Sequence, residues 1–314
     1  MNGPRQNRIS SDQNSDSQLS RLAAASQVYA WGKRILGIQA TITVVGGFLS
    51  PVFVAHFSDL RVWAAFYAFA VALLDAVALE RLQSDNRQTG AKIQELFDCE
   101  LLGLPWRPLI AGERPAPELV TEASSRYRRK HKDLAQLENW YSPSVSQLPL
   151  PLARLVCQRT NAWWDSTLRK RYSSALTATL WALGIFVVGF AIYRGLTIES
   201  FVVSVLAPLT PAILWGVREI RKHTSSAGRL VRLQTHIDAR WREAVTGSVP
   251  ENLLETDSIS VQDEIFHSRS TSPFVFNWVY RILRAGKEQT MHTVSAQLVD
   301  QAVSELSRRE AAKP

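Results

Sequence analysis

Cysteine is nearly missing: Cys99 and Cys157 are the only two in 314 residues. They make neither a disulfide framework nor a metal-ligand spacing, so free, packed thiols are expected. Catalytic signatures are missing too. There is no Gly-rich phosphate loop, no His-Glu-x-x-His and no Ser or Cys triad in recognisable context. Cys157 with the distant His131 is a poor nucleophile pair, so the expectation is a non-enzyme with no catalytic residue, no metal and no resident cofactor. Strand signals are almost absent, which leaves an all-α fold. Finally, charge is scarce in four long stretches, which hold few or no ionisable residues each: 35–57, 62–82, 173–193 and 198–217.

Those stretches are what is there. A hydrocarbon core about 30 Å thick needs on the order of 20 mostly apolar residues in a helix, and each stretch approaches or meets that length. The mean hydropathy of −0.08 hides them because charge-dense segments such as Arg126–Lys132 and Arg218–Arg232 are averaged in. The expected architecture is an all-α membrane protein with four transmembrane helices in two hairpins, extended into a cytoplasmic helical layer. Residues 1–18 read as a disordered tail rich in Ser, Asn, Gln and Asp. Residues 19–98 form the first hairpin with its extensions, and 99–151 a cytoplasmic insertion. Residues 152–249 form the second hairpin, and 250–314 a C-terminal cytoplasmic helical region opening on a linker at Pro250–Ile259. A last helix is expected from Phe276 to Arg309.

Net charge is +8, and its placement says more than its size. Basic residues gather before the first stretch (Arg21, Lys33, Arg34) and after the second (Arg81, Arg87, Lys92). They gather again before the third (Arg159, Arg169, Lys170, Arg171) and after the fourth (Arg218, Arg221, Lys222). The short connections carry only Arg61 and Arg194. The positive-inside rule puts both termini and the central block in the cytoplasm. The cations track helix ends and not one contiguous face. Attraction to anionic headgroups accounts for them, and direct DNA binding is not expected. No cleavable signal peptide is expected, since the polar residues before position 35 are too many for an n-region.

Within the bilayer, Gln39, Thr43, Gly47 and Ser50 recur at helical spacing. Such a small polar stripe either lets helices approach closely or lines water. Asp75 is an acidic residue well inside a stretch, costly by about 2.5–3.5 kcal/mol at a helix centre, and so expected to face a pore or to bond a neighbouring helix. Pro208 and Pro211 flank Leu209-Thr210; each lacks an N–H and clashes with the carbonyl four residues back, so a kink is expected, either a gate hinge or a static bend. The candidate pore or gate set is therefore Asp75, Thr43, Ser50, Pro208, Thr210 and Pro211. Four helices of one chain fill their own middle with side chains, so a pore implies a homo-oligomer.

The most specific run is Cys157-Gln158-Arg159-Thr160-Asn161-Ala162-Trp163-Trp164-Asp165-Ser166-Thr167-Leu168-Arg169-Lys170-Arg171-Tyr172, on the lead-in to the third stretch. Its cations can meet a phosphate and its tryptophans can stack on a base. Gln158, Asn161 and Asp165 can bond base edges or ribose. Trp and Arg beside a membrane are equally ordinary interface anchors. The Gln94-Glu95…Asp98 run lies at a similar depth, so it is expected to face this segment, with an Asp98–Arg contact. The candidate ligand set is Gln158, Arg159, Asn161, Trp163, Trp164, Asp165, Arg169, Arg171, Gln94 and Asp98.

The same run resembles the SMODS-associating four-transmembrane effectors of bacterial anti-phage systems. Further matches are Arg5-Gln6-Asn7, Leu22-Ala23-Ala24 with Tyr29, and Ile93-Gln94-Glu95-Leu96-Phe97-Asp98. Leu104-Pro105-Trp106, Trp140-Tyr141, and Gln262-Asp263-Glu264-Ile265 with Arg269 continue the series. Ala25-Ser26, Ala162 and Gly90 depart from the family pattern. The resemblance implies a pore-forming effector in the bacterial inner membrane, acting beside a cGAS-like nucleotidyltransferase. A cyclic oligonucleotide would be its activator, and permeabilisation would stop the infected cell. The rival reading is a non-conducting membrane adaptor that recruits a cytoplasmic partner.

Overall fold

The computed structural model describes residues 6–49, 57, 59, 61–284 and 287–311. Among the described residues the regular elements are all helical. After a single turn, α1 (Ile9–Asp12), come α2 (Asp16–Ala40), α3 (Val62–Leu102) and α4 (Pro117–Lys130). Then follow α5 (Leu150–Tyr193), α6 (Ile198–Val245), α7 (Glu251–Thr271), α8 (Asn277–Arg284) and α9 (Lys287–Ala311).

Three of these, α3, α5 and α6, are long and apolar enough to cross a membrane, at 41, 44 and 48 residues. At 1.5 Å per residue each exceeds a bilayer's thickness, so each continues beyond it. Their most apolar windows are only 17, 6 and 22% buried within the chain. Trp63, Phe66, Phe69, Trp181, Ile185, Phe186 and Ile192 all stand exposed on them. Large apolar side chains left outside over such lengths need lipid as their solvent. The first expected stretch is described as helix to Leu49; part of it, with Ser50, lies outside the described residues.

The core sits at one end of the spans, in the helical layer. Leu22, Phe97, Leu102, Tyr141, Leu155, Val156, Ile237, Val261, Ile265, Val299 and Ala302 are buried in one cluster there. The long helices thus change environment along their length, apolar outward in the spans and apolar inward in the layer. Helix α5 packs along α6, and α2 along α3 and α4. The turn from α5 to α6 is tight. Gly195 takes φ +63, while Leu196 N–H bonds Ala191 O at 3.0 Å, closing the helix end. Thr197 Oγ1 then accepts from Ser200 N–H at 3.2 Å and caps α6.

Among the described residues, three turns inside the apolar stretches are π-helical: Thr41–Val45, Asp75–Leu79 and Val202–Leu206. The last lies directly before Pro208, with Pro211 inside the helix that follows. A widened turn is how this helix accommodates a proline pair that denies it N–H donors.

Several expectations need correcting. Residues 6–18 are not disordered: Ile9 and Gln13 are fully buried, and Gln13 exchanges hydrogen bonds with the Tyr141 backbone. Asn7 donates to the carbonyls of Val145 and Leu148 at 2.7 and 2.8 Å, so polar residues fix this segment by satisfying a loop's backbone. Pro250–Ile259 is not a linker but the first half of α7. Leu254, Ser258, Val261, Gln262 and Ile265 form its buried face; one buried face suffices for a helix, and the polar remainder hid it. The expected Phe276–Arg309 helix comes as two elements, α8 and α9.

Candidate functional site

Lead-in helix α5 presents Asn161, Trp164, Asp165, Leu168 and Arg169 on one face, at i, i+3, i+4, i+7 and i+8. That face borders a cavity of about 530 Å³ in the layer, next to the spans. Helix α2 adds Tyr29 and Lys33, α3 adds Arg87 and Gln94, and α7 adds Arg269. The segment after α7 brings Phe274, and α8 brings Asn277, Tyr280 and Arg281. Trp140 and His131 close another side.

Two glycines permit this assembly. A Cβ on Gly90 would overlap the Tyr29 ring, and one on Gly32 would overlap the Phe274 ring. Gly90, a departure from the family pattern, is thus where Tyr29 seats against α3. Tyr29 then donates to Gln94 Oε1 at 3.2 Å and meets Phe274 edge-on.

The cavity is electropositive and aromatic. Lys33, Arg87, Arg169, Arg269 and Arg281 line it, against Asp165, the one carboxylate among the described lining residues. Arg169 is held by Asp165 at 2.9 Å and by the Pro273 carbonyl at 2.9 Å. Arg87 donates to the Ser270 carbonyl at 3.2 Å and lies over the Phe274 ring. Lys33 donates to Asn277 Oδ1 at 2.9 Å and lies over the Tyr280 ring. Among the described residues neither Lys33 nor Arg87 has a carboxylate at ion-pair distance. Burial, with the charge of Arg169 nearby, pushes the Lys33 ammonium down to about 8. An anion in the cavity would reverse that cost. Trp164 and Tyr280 stand with ring centroids 6.3 Å apart, offering flat apolar faces beside the cations.

Behind the cavity lies a buried polar network. Asp98, fully buried, pairs with Arg269 at 2.5 Å and accepts from Tyr141 Oη at 2.7 Å. Tyr141 Oη in turn accepts from Asn161 at 2.7 Å. Gln262 donates to Glu95 at 2.8 Å and to Asp98 at 3.2 Å, and takes a bond from Gln158 at 3.2 Å. Burial and the neighbouring Asp98 push Glu95 up to about 7, although Arg269 opposes them. With Glu95 protonated, one carboxylate faces one guanidinium and the network balances.

The sequence-predicted ligand residues therefore divide. Gln94, Asn161, Trp164, Asp165 and Arg169 line the cavity. Gln158 and Asp98 are fully buried in the network and do not reach it. Arg159 pairs with Asp238 at 2.5 Å, and neither Trp163 nor Arg171 lines the cavity. The arginine partner of Asp98 is Arg269 from α7, not a residue of the Cys157–Tyr172 run; that run reaches Asp98 only through Asn161 and Tyr141. Lys33 and Arg87, expected at lipid headgroups, turn inward to the cavity. Tyr29, Arg269, Phe274 and Tyr280 complete it. Of these, Tyr29 and Arg269 carried a signal as family-pattern matches.

The site connects to the spans through α6. Arg169 approaches Nδ1 of the fully buried His223 at 3.5 Å, and His223 Nε2 lies 3.7 Å from Glu219. Burial and the cations Arg169 and Lys222 push His223 down to about 2, so the ring is neutral and can accept from the guanidinium. One helical step away, Arg218 pairs with Asp75 at 3.0 Å and Lys222 with Glu80 at 2.7 Å. Gln39 also donates to Asp75, and Gln83 donates to Gln39 at 2.8 Å. Asp75 is thus buried within the chain and engaged by side chains of two neighbouring helices. Thr43 is buried; Thr210 is exposed and bonds the Leu206 carbonyl at 2.9 Å.

A family profile described as the SMODS-associating 4TM effector domain matches residues 7–298. A protein of Bacillus cereus strain VD146 named "Probable CBASS effector molecule" is 24% identical over 294 residues, covering 91% of this chain and 96% of that protein. No solved structure matches the chain. Three helices fit to cross a bilayer agree with that description of a membrane effector. With the profile covering nearly its whole length, the chain belongs to the SMODS-associating 4TM effector family.

Proposed function

We propose that the chain is a membrane effector of anti-phage defence that binds a cyclic oligonucleotide in the layer cavity and answers by opening a path across the bilayer. The carrying observation is the cavity itself. Its 530 Å³ falls within the range of about 300–1,000 Å³ usual for small-ligand sites. Five lining cations, of which Arg169 and Arg269 are already paired with Asp165 and Asp98, suit phosphates, and Trp164 with Tyr280 suits base stacking, worth about 1–3 kcal/mol per base. In this reading the layer and both termini are cytoplasmic, and four spans cross the bacterial inner membrane in two hairpins. Several copies assemble around the path, and a cGAS-like nucleotidyltransferase supplies the ligand. No catalysis by the chain is invoked.

The mechanism runs from Arg169. An anion that draws its guanidinium away from His223 alters what holds α6 beside the layer. The neighbouring Arg218–Asp75 and Lys222–Glu80 pairs carry that change into α3. The ligand favours the open form only to the extent that it binds it more tightly.

The relative's name supports an effector role, and the inward cations support an anionic ligand. The internal pairing of Asp75 favours the second reading, a non-conducting adaptor, because that residue is engaged within one chain.

Calorimetry on the purified full chain, titrated with cyclic di- and trinucleotides, tests the ligand. Binding of one such compound is expected, weakened about tenfold or more in Trp164→Ala by loss of stacking. Silence across the whole panel would remove the ligand from the account.

A further inference from the structure

Helix α8 has two unlike faces. One turns to the cavity: Asn277 accepts from Lys33, and Tyr280 packs on Trp164. The other carries Trp278 and Ile282, four residues apart on one side, 60 and 66% exposed. Exposed Trp and Ile over one turn of an eight-residue helix need an apolar partner, and their height in the molecule indicates which.

The segment entering α8 lies at the level where the spans begin. Phe274 is buried with Leu36 and Trp215, and Phe276 packs on that cluster beside Ala40 and Val44. Val275 and Val279 are buried with Tyr172, against Leu176 of the third stretch. Leu36, Ala40, Leu176 and Trp215 all belong to the apolar stretches. The exposed face of α8 bearing Trp278 and Ile282 therefore lies at the depth where the apolar stretches begin. Arg281 is exposed beside it, and Lys170 and Arg171 are exposed on α5 nearby in sequence to Tyr172. Trp at the boundary, an aliphatic residue beside it and cations alongside are what a headgroup–acyl interface receives.

We propose that α8 docks on the bilayer, with Trp278 and Ile282 seated at the headgroup–acyl boundary on the side of the helical layer. The helix is then a wall shared by the cavity and the membrane. This docking does not depend on which ligand the cavity takes.

The test uses the full chain in liposomes with Trp278→Cys or Ile282→Cys, each labelled with an environment-sensitive fluorophore. Both positions are exposed, so the substitutions leave the core intact. Native Cys99 and Cys157 are buried, and burial pushes both thiols up, out of reach of labelling. Glu118→Cys on exposed α4 serves as the water reference and Phe186→Cys as the acyl reference. Expected is quenching by lipids spin-labelled near the headgroup several-fold above the Glu118 reference, with iodide quenching several-fold below it. Iodide quenching equal to the Glu118 reference would overturn the proposal by showing a solvent face. Protection from both quenchers, with the unlabelled Ile282→Cys protein cross-linking between copies, would overturn it in favour of a protein partner.

Discussion

At the residue scale, Glu95 is the group whose charge the fold decides. In an unfolded chain a Glu releases its proton near pH 4.3, at the ordinary value for that side chain. In the folded chain burial and Asp98 hold the proton to about pH 7. Between those values the folded state binds more protons than the unfolded one, so stability falls as pH rises. This contribution is fully present below about pH 4.3 and is gone once pH has passed through about 7. The expected outcome is a melting temperature that declines from about pH 5 to 8, with a shallower decline in Glu95→Gln. Superimposable pH profiles for the two proteins would assign the dependence elsewhere. Glu95→Gln keeps an acceptor oxygen for Gln262 and turns its NH2 to the Cys99 sulfur, a weak acceptor, so the comparison chiefly removes charge.

At the element scale, the π-helical turn of α3 is what ties two spans together. In a regular helix Asp75 and Glu80 would sit about 140° apart, at 100° per residue. The extra residue in Asp75–Leu79 brings them back toward one face. There they meet Arg218 and Lys222, which are naturally aligned at i, i+4 on α6. A double-mutant cycle of Asp75→Ala and Arg218→Ala should be non-additive, with a coupling of about 0.5–3 kcal/mol in thermal or denaturant unfolding. Additive losses would mean that the two helices are not joined at this point. The elements also show what sequence can and cannot reveal. The cavity face of α5 is legible because Asn161, Trp164, Asp165, Leu168 and Arg169 keep helical spacing within one run. The spans are legible because lipid demands long uncharged helices. The inward turn of Lys33 and Arg87 is not legible. A cation next to a span reads the same whether it meets a headgroup or a cavity, and only tertiary packing sets its direction. Arg269 as the partner of Asp98 is hidden for the same reason, since 171 residues separate them. The ordered N-terminal segment and the first half of α7 were masked by polar residues that serve buried hydrogen bonds.

At the scale of the whole molecule, one chain holds two regions with opposite rules of burial. The layer hides its apolar residues around a polar network and a cationic, aromatic cavity. The spans expose theirs to lipid. Helices α3, α5 and α6 run through both regions without a loop, which gives the proposed mechanism a continuous element along which to act. Arg169 occupies the junction, contacting the cavity on one side and His223 of α6 on the other. The central claim is that ligand in the cavity changes the state of the spans. Ion flux from liposomes holding the purified full chain tests it most directly, with cyclic oligonucleotides added outside or withheld. The account predicts flux only with a binding cyclic oligonucleotide, and its loss in Arg169→Ala although that protein still inserts. Absence of flux with every ligand, or equal flux with none, would contradict it.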